Sequence, residues 1–492
     1  MKENSVLQRL LLHKVGMIIV GIQLIIVILL SITIGRFHVL PSPLFIGMIL
    51  IEFVYVAIMF LGQMVKNKLH YITKVITVFG IVISGLVLFT VNNGYVATNK
   101  MTGKSQETKT INVVALKDDE AEVLEDLKEI RIGIVKGKND TPLEEMITYM
   151  KNTIQKEIET EEYEDYFSMV EALYNREIEV IAVDDAFVPL IEESYSSYQS
   201  DTKSLYVYEY TIEVQLDNST KVLSDNESSV NEEKEITERS FNVFLSGIDI
   251  SGSIDKVSRC DVNMIATVNP VTKQILLTST PRDYYVKTTV SGDMRDKLTH
   301  AGIYGIEASV GTLEELYGVS IEYYVKVNFT GFQDIVDALN GITVYSENDF
   351  TTGQYHFIVG ENECDGEKAL AFVRDRYSFA SGDLMRNRNQ QAVVEGIINK
   401  ITTPSALLNI NSLLNVASEC AMTNMELSDL MKLVNMQLTD GAKWTVTTVG
   451  VSGTGASEIT YSNQKQKSYV MYPDEEQVKE ASEKMQEVFA AK

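Results

Sequence analysis

The sequence predicts an α/β protein held to a membrane by three N-terminal transmembrane helices. Three observations predict it. The first 91 residues hold three apolar stretches of about 20 residues or more, each long enough to span a bilayer. The remainder alternates short, β-branched apolar runs with segments of helical period. A stretch rich in Asn, Ser and Glu, residues 217–239, divides that remainder in two. The expected organisation is a cytoplasmic tail (1–14), three transmembrane helices (15–91), a linker with a surface helix (92–129), a small α/β accessory domain (130–216), a linker (217–239) and a larger α/β domain (240–490). The larger domain is expected to carry a central mixed sheet flanked by helices.

The apolar stretches are residues 15–34, 40–65 and 72–91. A cleaved signal peptide accounts for one such segment, not three. Lys2, Arg9 and Lys14 precede the first, and Lys66, Lys68 and Lys74 flank the link between the second and third. The link between the first two carries only Arg36 and His38. The positive-inside rule then puts the N-terminus in the cytoplasm and everything after Asn92 outside the cell. Glu52, midway along the second stretch, is an expensive residue in lipid, open to a functional or a merely paired role.

In the accessory region, IRIGIV (130–135) and EVIAV (179–183) read as buried strands, and residues 205–216 as an alternating one. Helices are expected over 141–157, around 169–173 and over 186–193. Asp184-Asp185 after a strand is a cation site only if it is not a pair of ordinary loop acids, which is the commoner case. The region holds no glycine-rich phosphate loop.

In the larger region, FNVFLSGI (241–248) is a buried strand with Asp249 at its end. A second strand starts at Asp261, two residues after Arg259, and a third (275–278) runs into Thr280-Pro281-Arg282-Asp283. Charged residues at strand ends lie where ligands bind in α/β sheets. Two carboxylates among arginines fit a divalent cation and a diphosphate, or equally a set of internal salt bridges.

Between Arg374 and Gln391 the chain reads RDRYSFASGDLMRNRNQQ, with arginines at 374, 376, 386 and 388. A guanidinium grips phosphate oxygens through paired hydrogen bonds. A helix is expected from Asp383, as N-cap, to Ile401. Arg386 and Gln390 then share a face with Val393, Val394, Ile397 and Ile401, the side turned to the core. If the chain before it is extended, Arg374 and Arg376 project to one side. Helices are also expected at 331–339 and 473–489, and a strand over TVTTVGV (445–451).

The net charge of −25 argues against sequence-independent nucleic-acid binding, so the arginines are a local exception. Five histidines suggest no histidine-based metal site. Outside the cell, a disulfide between Cys364 and Cys420 is reasonable, leaving Cys260 free; two buried thiols are the alternative.

Five stretches occur in order: SGIDISGSIDKVSRCDVNMIATVNP, LLTSTPRDYYV, DKLTHAGIYG, YYVKVNFTGFQDIVDALNGI and GEKALAFVRDRYSFASGDLMRNRNQQ. Through them, residues from about 241 to 475 resemble the LytR–CpsA–Psr family of cell-envelope proteins. Three spans plus a small outer domain resemble its capsule-associated branch.

The resemblance implies a phosphotransferase. It would take a glycopolymer from polyprenyl diphosphate to a peptidoglycan hydroxyl and release polyprenyl phosphate. It implies Mg²⁺, with Mn²⁺ as a substitute, held by Asp249 and Asp261. It implies a diphosphate bound by Arg259, Arg282, Arg374 and Arg376, with Lys297 alongside. Arg374 and Arg376 count also as catalytic, with Asp383, Arg386 and Gln390 from the last motif. Two departures stand out: Cys260 where serine is common, and Asn389 where many members have arginine. The lipid tail would need a dry groove, for which residues 261–268, 392–401 and 406–417 offer apolar faces. The partners implied are the lipid-linked glycan, peptidoglycan, the membrane and other capsule-assembly proteins. The competing functions are a polyprenyl-diphosphate pyrophosphatase and a non-catalytic sensor of lipid-linked precursors that regulates capsule synthesis.

Overall fold

The structure is a computed structural model of the 492-residue chain. It describes residues 2–37, 42–65, 69–102, 106–135, 141–216, 234–248, 253–375, 378, 382–408 and 410–492. Its architecture is the expected mixed α/β one with three apolar N-terminal helices.

Helices α1 (Lys2–Phe37), α2 (Ser42–Met64) and α3 (Leu69–Met101) are long and apolar enough to cross a membrane over Lys14–Arg36, Pro43–Met64 and Leu69–Val96. Few polar groups lie inside this bundle, and two glutamines among them pair across helices. Gln23 donates to Ser84 Oγ at 3.1 Å, and Gln63 donates to Thr73 Oγ1 at 2.7 Å.

Four residues after α3 the chain enters β1 (Gln106–Leu116). This strand lies in the stretch expected to be linker and surface helix. Its inner face alternates Ile111, Val113 and Ala115, so the period-two signal was present beneath the charged residues around it. The accessory domain continues with β2 (Ile130–Val135), α4 (Thr141–Ile154), β3 (Ile158–Tyr163), α5 (Tyr166–Tyr174), β4 (Val180–Asp184), α6 (Val188–Ser194) and β5 (Thr202–Glu213). The sheet order is β3-β2-β4-β1-β5. Asp184 and Asp185 are structural: Asp184 caps the turn at Ala186 N and meets Lys109, and Asp185 accepts from Asn112.

The larger domain is built on β6 (Phe241–Ile248), β7 (Cys260–Asn269), β8 (Gln274–Ser279), α7 (Ile306–Tyr317), β9 (Tyr323–Asn328), α8 (Phe329–Ala338), β10 (Ile342–Ser346), β11 (Gly360–Cys364), α9 (Gly366–Arg374), α10 (Gly382–Ile401), α11 (Ile410–Cys420), β12 (Ala421–Thr423), α12 (Leu427–Asp440), β13 (Thr445–Gly450) and α13 (Glu475–Ala490). The central sheet has the order β12-β9-β6-β7-β8-β13. Strands β6, β8, β9 and β13 run one way, and β7 and β12 run against them. On one face Phe244, Ile265, Leu276 and Tyr324 pack under α7 and α13. On the other, Val243, Met264, Leu277 and Tyr323 pack with Val394 and Ile398 of α10 and with α12. The residues of β7 expected to line a lipid groove are therefore core. Leu30, Ile34 and Val91 of the membrane helices share a cluster with Ile410, Leu413 and Leu414 of α11, so the large domain sits directly on one end of the bundle.

The accessory domain and the larger domain are joined by a buried ion pair. Lys326, on β9, sends its ammonium to Glu107 Oε1 of β1 at 2.7 Å, with both side chains 2% exposed. The same ammonium donates to Lys256 O at 2.7 Å, and Glu107 Oε2 accepts from Ile306 N, at the start of α7, at 2.8 Å. The helix start follows Gly305, whose φ of +116° is strained for any residue with a Cβ. Next to Glu107, Thr108 bridges Asp255 and Val257 through its backbone N–H and C=O.

The expected disulfide is not formed: Cys364 and Cys420 are buried free thiols. They lie at opposite ends of α8. Cys420 packs on Gly331, where an added Cβ would come within 2.0 Å, while the Cys364 carbonyl lies over Gly341. A disulfide tolerates no such separation. Burial pushes both thiols up to about 11, and Cys260 also rises. A thiol whose folded value lies that high stays protonated, and hence unreactive, through neutral pH.

Two outcomes follow from this packing. Lys326→Ala leaves a buried carboxylate unpaired and should lower stability by about 3–5 kcal/mol, whereas pairing Lys326→Met with Glu107→Leu should restore much of it; thermal unfolding in detergent reads both. Denatured, unreduced protein should titrate three thiols, while the folded protein should alkylate slowly at pH 7.

Candidate active site

The four co-directional strands end at one edge of the sheet, and β7 begins there. Loops leaving that edge therefore bring together residues far apart in sequence. Arg282, three residues past β8, donates through Nη1 to Asp261 Oδ1 at 2.9 Å. Thr299 Oγ1 reaches the same oxygen at 3.3 Å. Asp283 lies between two cations, with Oδ2 3.7 Å from Arg282 Nε and Oδ1 3.6 Å from Lys297 Nζ. Lys297, Asp283, Arg282 and Asp261 thus form a chain of alternating charge. Backbone bonds from Thr299 N to Arg282 O and from Leu298 N to Tyr284 O hold its two strands of sequence together. Behind it, Asp296 is fixed by His300 Nδ1 at 2.6 Å and by Ser462.

Of the residues named from sequence, Asp261, Arg282 and Lys297 come together here. Arg259 sits two residues before Asp261, about 7 Å along an extended chain. Its Nη1 donates to Glu193 Oε1 of α6 at 2.9 Å, both side chains half-buried. Asp249 and Arg376 lie outside the described residues. Arg374 closes helix α9, a correction to the extended segment expected there, because Asp365 caps that helix and the apolar positions Ala369, Phe372 and Val373 carry it to the arginine. Its guanidinium lies 4.3 Å over the ring of Phe329, the residue after β9, and so at the same sheet edge.

Helix α10 approaches from the opposite face. Arg386 and Gln390 are both buried, as their shared stripe with Val393 predicts. Asp383 belongs to α10 by its backbone; its side chain lies outside those described. Asn389 Nδ2 donates to Phe372 O at 3.0 Å, binding α10 to α9. Gln391 spans β8 and β13, donating to Leu277 O at 3.1 Å and Val449 O at 2.6 Å. Arg388 turns outward to Glu347 at 2.8 Å. Beside α10 runs a cleft of about 790 Å³ lined by Thr343, Tyr345, Asn389, Gln391, Glu395 and Thr448. Burial raises the Glu395 carboxyl.

The sequence reading missed Asp283, Thr299, Glu193 and the Lys326–Glu107 pair. Adjacency to Arg282 was a usable signal for Asp283; for Glu193, on another domain, there was none.

Magnesium fits the donor chemistry here in one respect. Asp261 Oδ1 takes both described contacts, leaving Oδ2 uncommitted among the described residues. Among those residues, however, no group of three acidic, histidine or cysteine side chains is placed to hold a metal.

Residues 203–487, more than half of the chain, match the LytR_cpsA_psr family. The chain belongs to this family. The match begins inside β5, so it takes in the last strand of the accessory domain. A relative from Oceanobacillus iheyensis, named polyisoprenyl-teichoic acid–peptidoglycan teichoic acid transferase TagU, is 33% identical over 221 residues, covering 44% of this chain and 67% of the relative. The TagU of Enterococcus faecalis is 35% identical over 196 residues, covering 39% of this chain and 64% of its own. The chain thus spans about two thirds of the length of these curated relatives. Among solved structures, B. subtilis TagU aligns at 29% identity with a TM-score of 0.41, over 52% of this chain and 98% of that one. B. subtilis TagT aligns at 28% with a TM-score of 0.42, over 53% and 95%.

The bonds of α10 set a local stability expectation for this LytR_cpsA_psr domain. Gln391→Ala removes two donors to the sheet and should destabilise by about 1–3 kcal/mol. Arg388→Ala breaks only an exposed pair and should change stability by less than about 1 kcal/mol. Chemical denaturation of both variants checks the contrast.

Proposed function

We propose that this protein is an extracytoplasmic phosphotransferase. It moves a glycopolymer, capsular polysaccharide in our reading, from polyprenyl diphosphate to peptidoglycan and releases polyprenyl phosphate. The observation that carries the proposal is the single sheet edge shared by Asp261, Arg282, Lys297 and Arg374 in a chain of this family. The relatives' name, a transferase of a polyisoprenyl-linked polymer to peptidoglycan, supports the same reaction class.

In this reading a sugar hydroxyl of peptidoglycan attacks the phosphorus nearer the glycan. The new P–O bond forms as the bond from that phosphorus to the bridging oxygen breaks. The bridging oxygen leaves with the polyprenyl phosphate, and the hydroxyl proton passes to a carboxylate, Asp249 or Asp383 being the candidates. Such transfer depends mainly on positioning and charge neutralisation. Arg282 follows β8, and Phe329, under the Arg374 guanidinium, follows β9; the two strand ends are three strand intervals apart, about 14 Å, and the two arginines would grip one diphosphate from either side. Arg259 and Arg376 would add to the grip, and Lys297, through Asp283, holds Arg282 in place. Arg386 and Gln390, both buried on α10, would contribute from that helix. Asp261, through its uncommitted Oδ2, and Asp249 would hold Mg²⁺, which when bound would offset phosphate charge.

The proposed topology has the N-terminus in the cytoplasm and both outer domains on the far side. It is supported by the basic residues at Lys66, Lys68 and Lys74 and by the packing of the large domain on the other end of the bundle. A donor anchored in the same bilayer is then held near the enzyme.

The test supplies full-length protein with a short-chain lipid-diphosphate glycan and peptidoglycan fragments. Wild type should form a metal-dependent adduct and release polyprenyl phosphate. Asp261→Ala and Arg374→Ala should each reduce the rate by about 10²–10³-fold. Free glycan phosphate with no adduct would show a pyrophosphatase instead, and binding without turnover would show a sensor.

A further inference from the structure

We infer that Glu193, on α6 of the accessory domain, is a positioning residue for the diphosphate grip: it orients Arg259 across the domain boundary. The inference rests on the reading of Arg259 as a diphosphate ligand and adds a contributor from outside the family's large domain core.

The contact is single. Arg259 Nη1 donates to Glu193 Oε1 at 2.9 Å, and no second Arg259 bond is made among the described residues. A guanidinium has five N–H donors in a rigid plane, so one anchored nitrogen restricts how the plane can turn and leaves the rest of the fork for another anion. The anchor is itself anchored. Ser194 Oγ, the next residue, accepts from Gln466 Nε2 at 2.7 Å, and Tyr195 Oη accepts from Lys465 Nζ at 3.3 Å. Lys465 also pairs with Glu171 on α5. Beneath them Phe167, Ala186 and Leu190 of the accessory domain pack with Val257 and Ile303 of the large one.

The arginine end is held equally closely. An added Cβ on Gly302 would come within 2.6 Å of Ser258 O and 2.8 Å of Cys260 N, the residues on either side of Arg259. Thr108 bonds the backbone at Asp255 and Val257. With both backbones fixed, the carboxylate–guanidinium contact sets which way the remaining donors point. Since an arginine has rotamer freedom to lose on binding, part of that ordering is complete before the donor arrives.

The experiment compares KM and kcat for the short-chain lipid-diphosphate glycan in full-length wild type, Glu193→Ala, Glu193→Gln, Ser194→Ala, Arg259→Ala and the Glu193→Ala/Arg259→Ala double variant. Melting temperatures are measured in parallel. Glu193→Ala should raise KM by up to about fivefold, the range of a partly exposed pair, with kcat little changed. Glu193→Gln keeps an oxygen acceptor and should recover most of the loss. Ser194→Ala loosens the same attachment without touching the carboxylate and should leave KM unchanged. In the Arg259→Ala background, Glu193→Ala should have no further effect. A lower KM in Glu193→Ala would mean the carboxylate competes with the donor and would overturn the inference. So would an equal rise in Ser194→Ala, or an unchanged KM in Glu193→Ala while Arg259→Ala raises it. An Arg259→Ala enzyme with wild-type KM would remove the diphosphate reading itself, and this inference with it.

Discussion

A lysine in the middle of a hydrophobic sheet cannot keep its charge alone, and Lys326 is such a lysine. Removing an ammonium from water costs several kcal/mol even after relaxation, so the fold must supply a carboxylate and further acceptors. It does so from another domain: Glu107 reaches in from the first strand after the membrane, and a backbone carbonyl completes the shell. The carboxylate's second oxygen caps α7, where the N-terminal dipole favours a negative charge. One acidic side chain therefore answers two buried electrostatic demands at once. The consequence is geometric. The accessory domain is held in a fixed pose against the large one, close to the end of the third apolar helix.

The same logic governs the sheet edge. Arg282, Lys297, Asp261 and Asp283 neutralise one another in an alternating chain, which lets four charges coexist in partly dry surroundings. An anionic ligand at such a place meets guanidinium groups already ordered by carboxylates. It need not order them itself, and part of the entropy of binding is then lost on folding rather than at encounter. The arrangement also explains why the acids and arginines read from sequence supported two interpretations: the salt bridges and the proposed phosphate site use the same side chains.

Much of this was legible beforehand. FNVFLSGI appears as a strand with its expected limits, and the strands starting at Asp261 and at residue 275 each extend one residue further at both ends. Their apolar alternation is strong, and turn residues close them. The inward stripe of α10, with Arg386, Gln390 and Val393 buried and Val394, Ile397 and Ile401 half-buried, followed from helical period alone. Where the reading failed, the deciding physics was non-local. β1 was obscured because Lys109, Asn112 and Thr110 answer to Asp184, Asp185 and Glu209 of β5, partners invisible in a linear scan. The disulfide failed because nothing in the spacing of Cys364 and Cys420 says that α8 lies between them. Glu193 was unremarkable among the acids of an acidic chain until the fold set it against Arg259.

Asn389 shows how a departure from the family pattern is absorbed. Where the resemblance implies an arginine, this chain has a short amide, and it is buried and spent on the Phe372 carbonyl. That bond ties α10 to the helix that carries Arg374. The change exchanges a cation for a strut: one fewer positive charge can face a phosphate, while the two helices bearing Arg374 and Arg386 are fixed more closely to each other. Arg388, the neighbouring arginine, does not restore the charge, because helical geometry points it to Glu347 on the outside. In the proposed site, positive charge near the linkage would then come from elsewhere along the edge, and Arg259, held by Glu193 of the accessory domain, is a cation that would supply it.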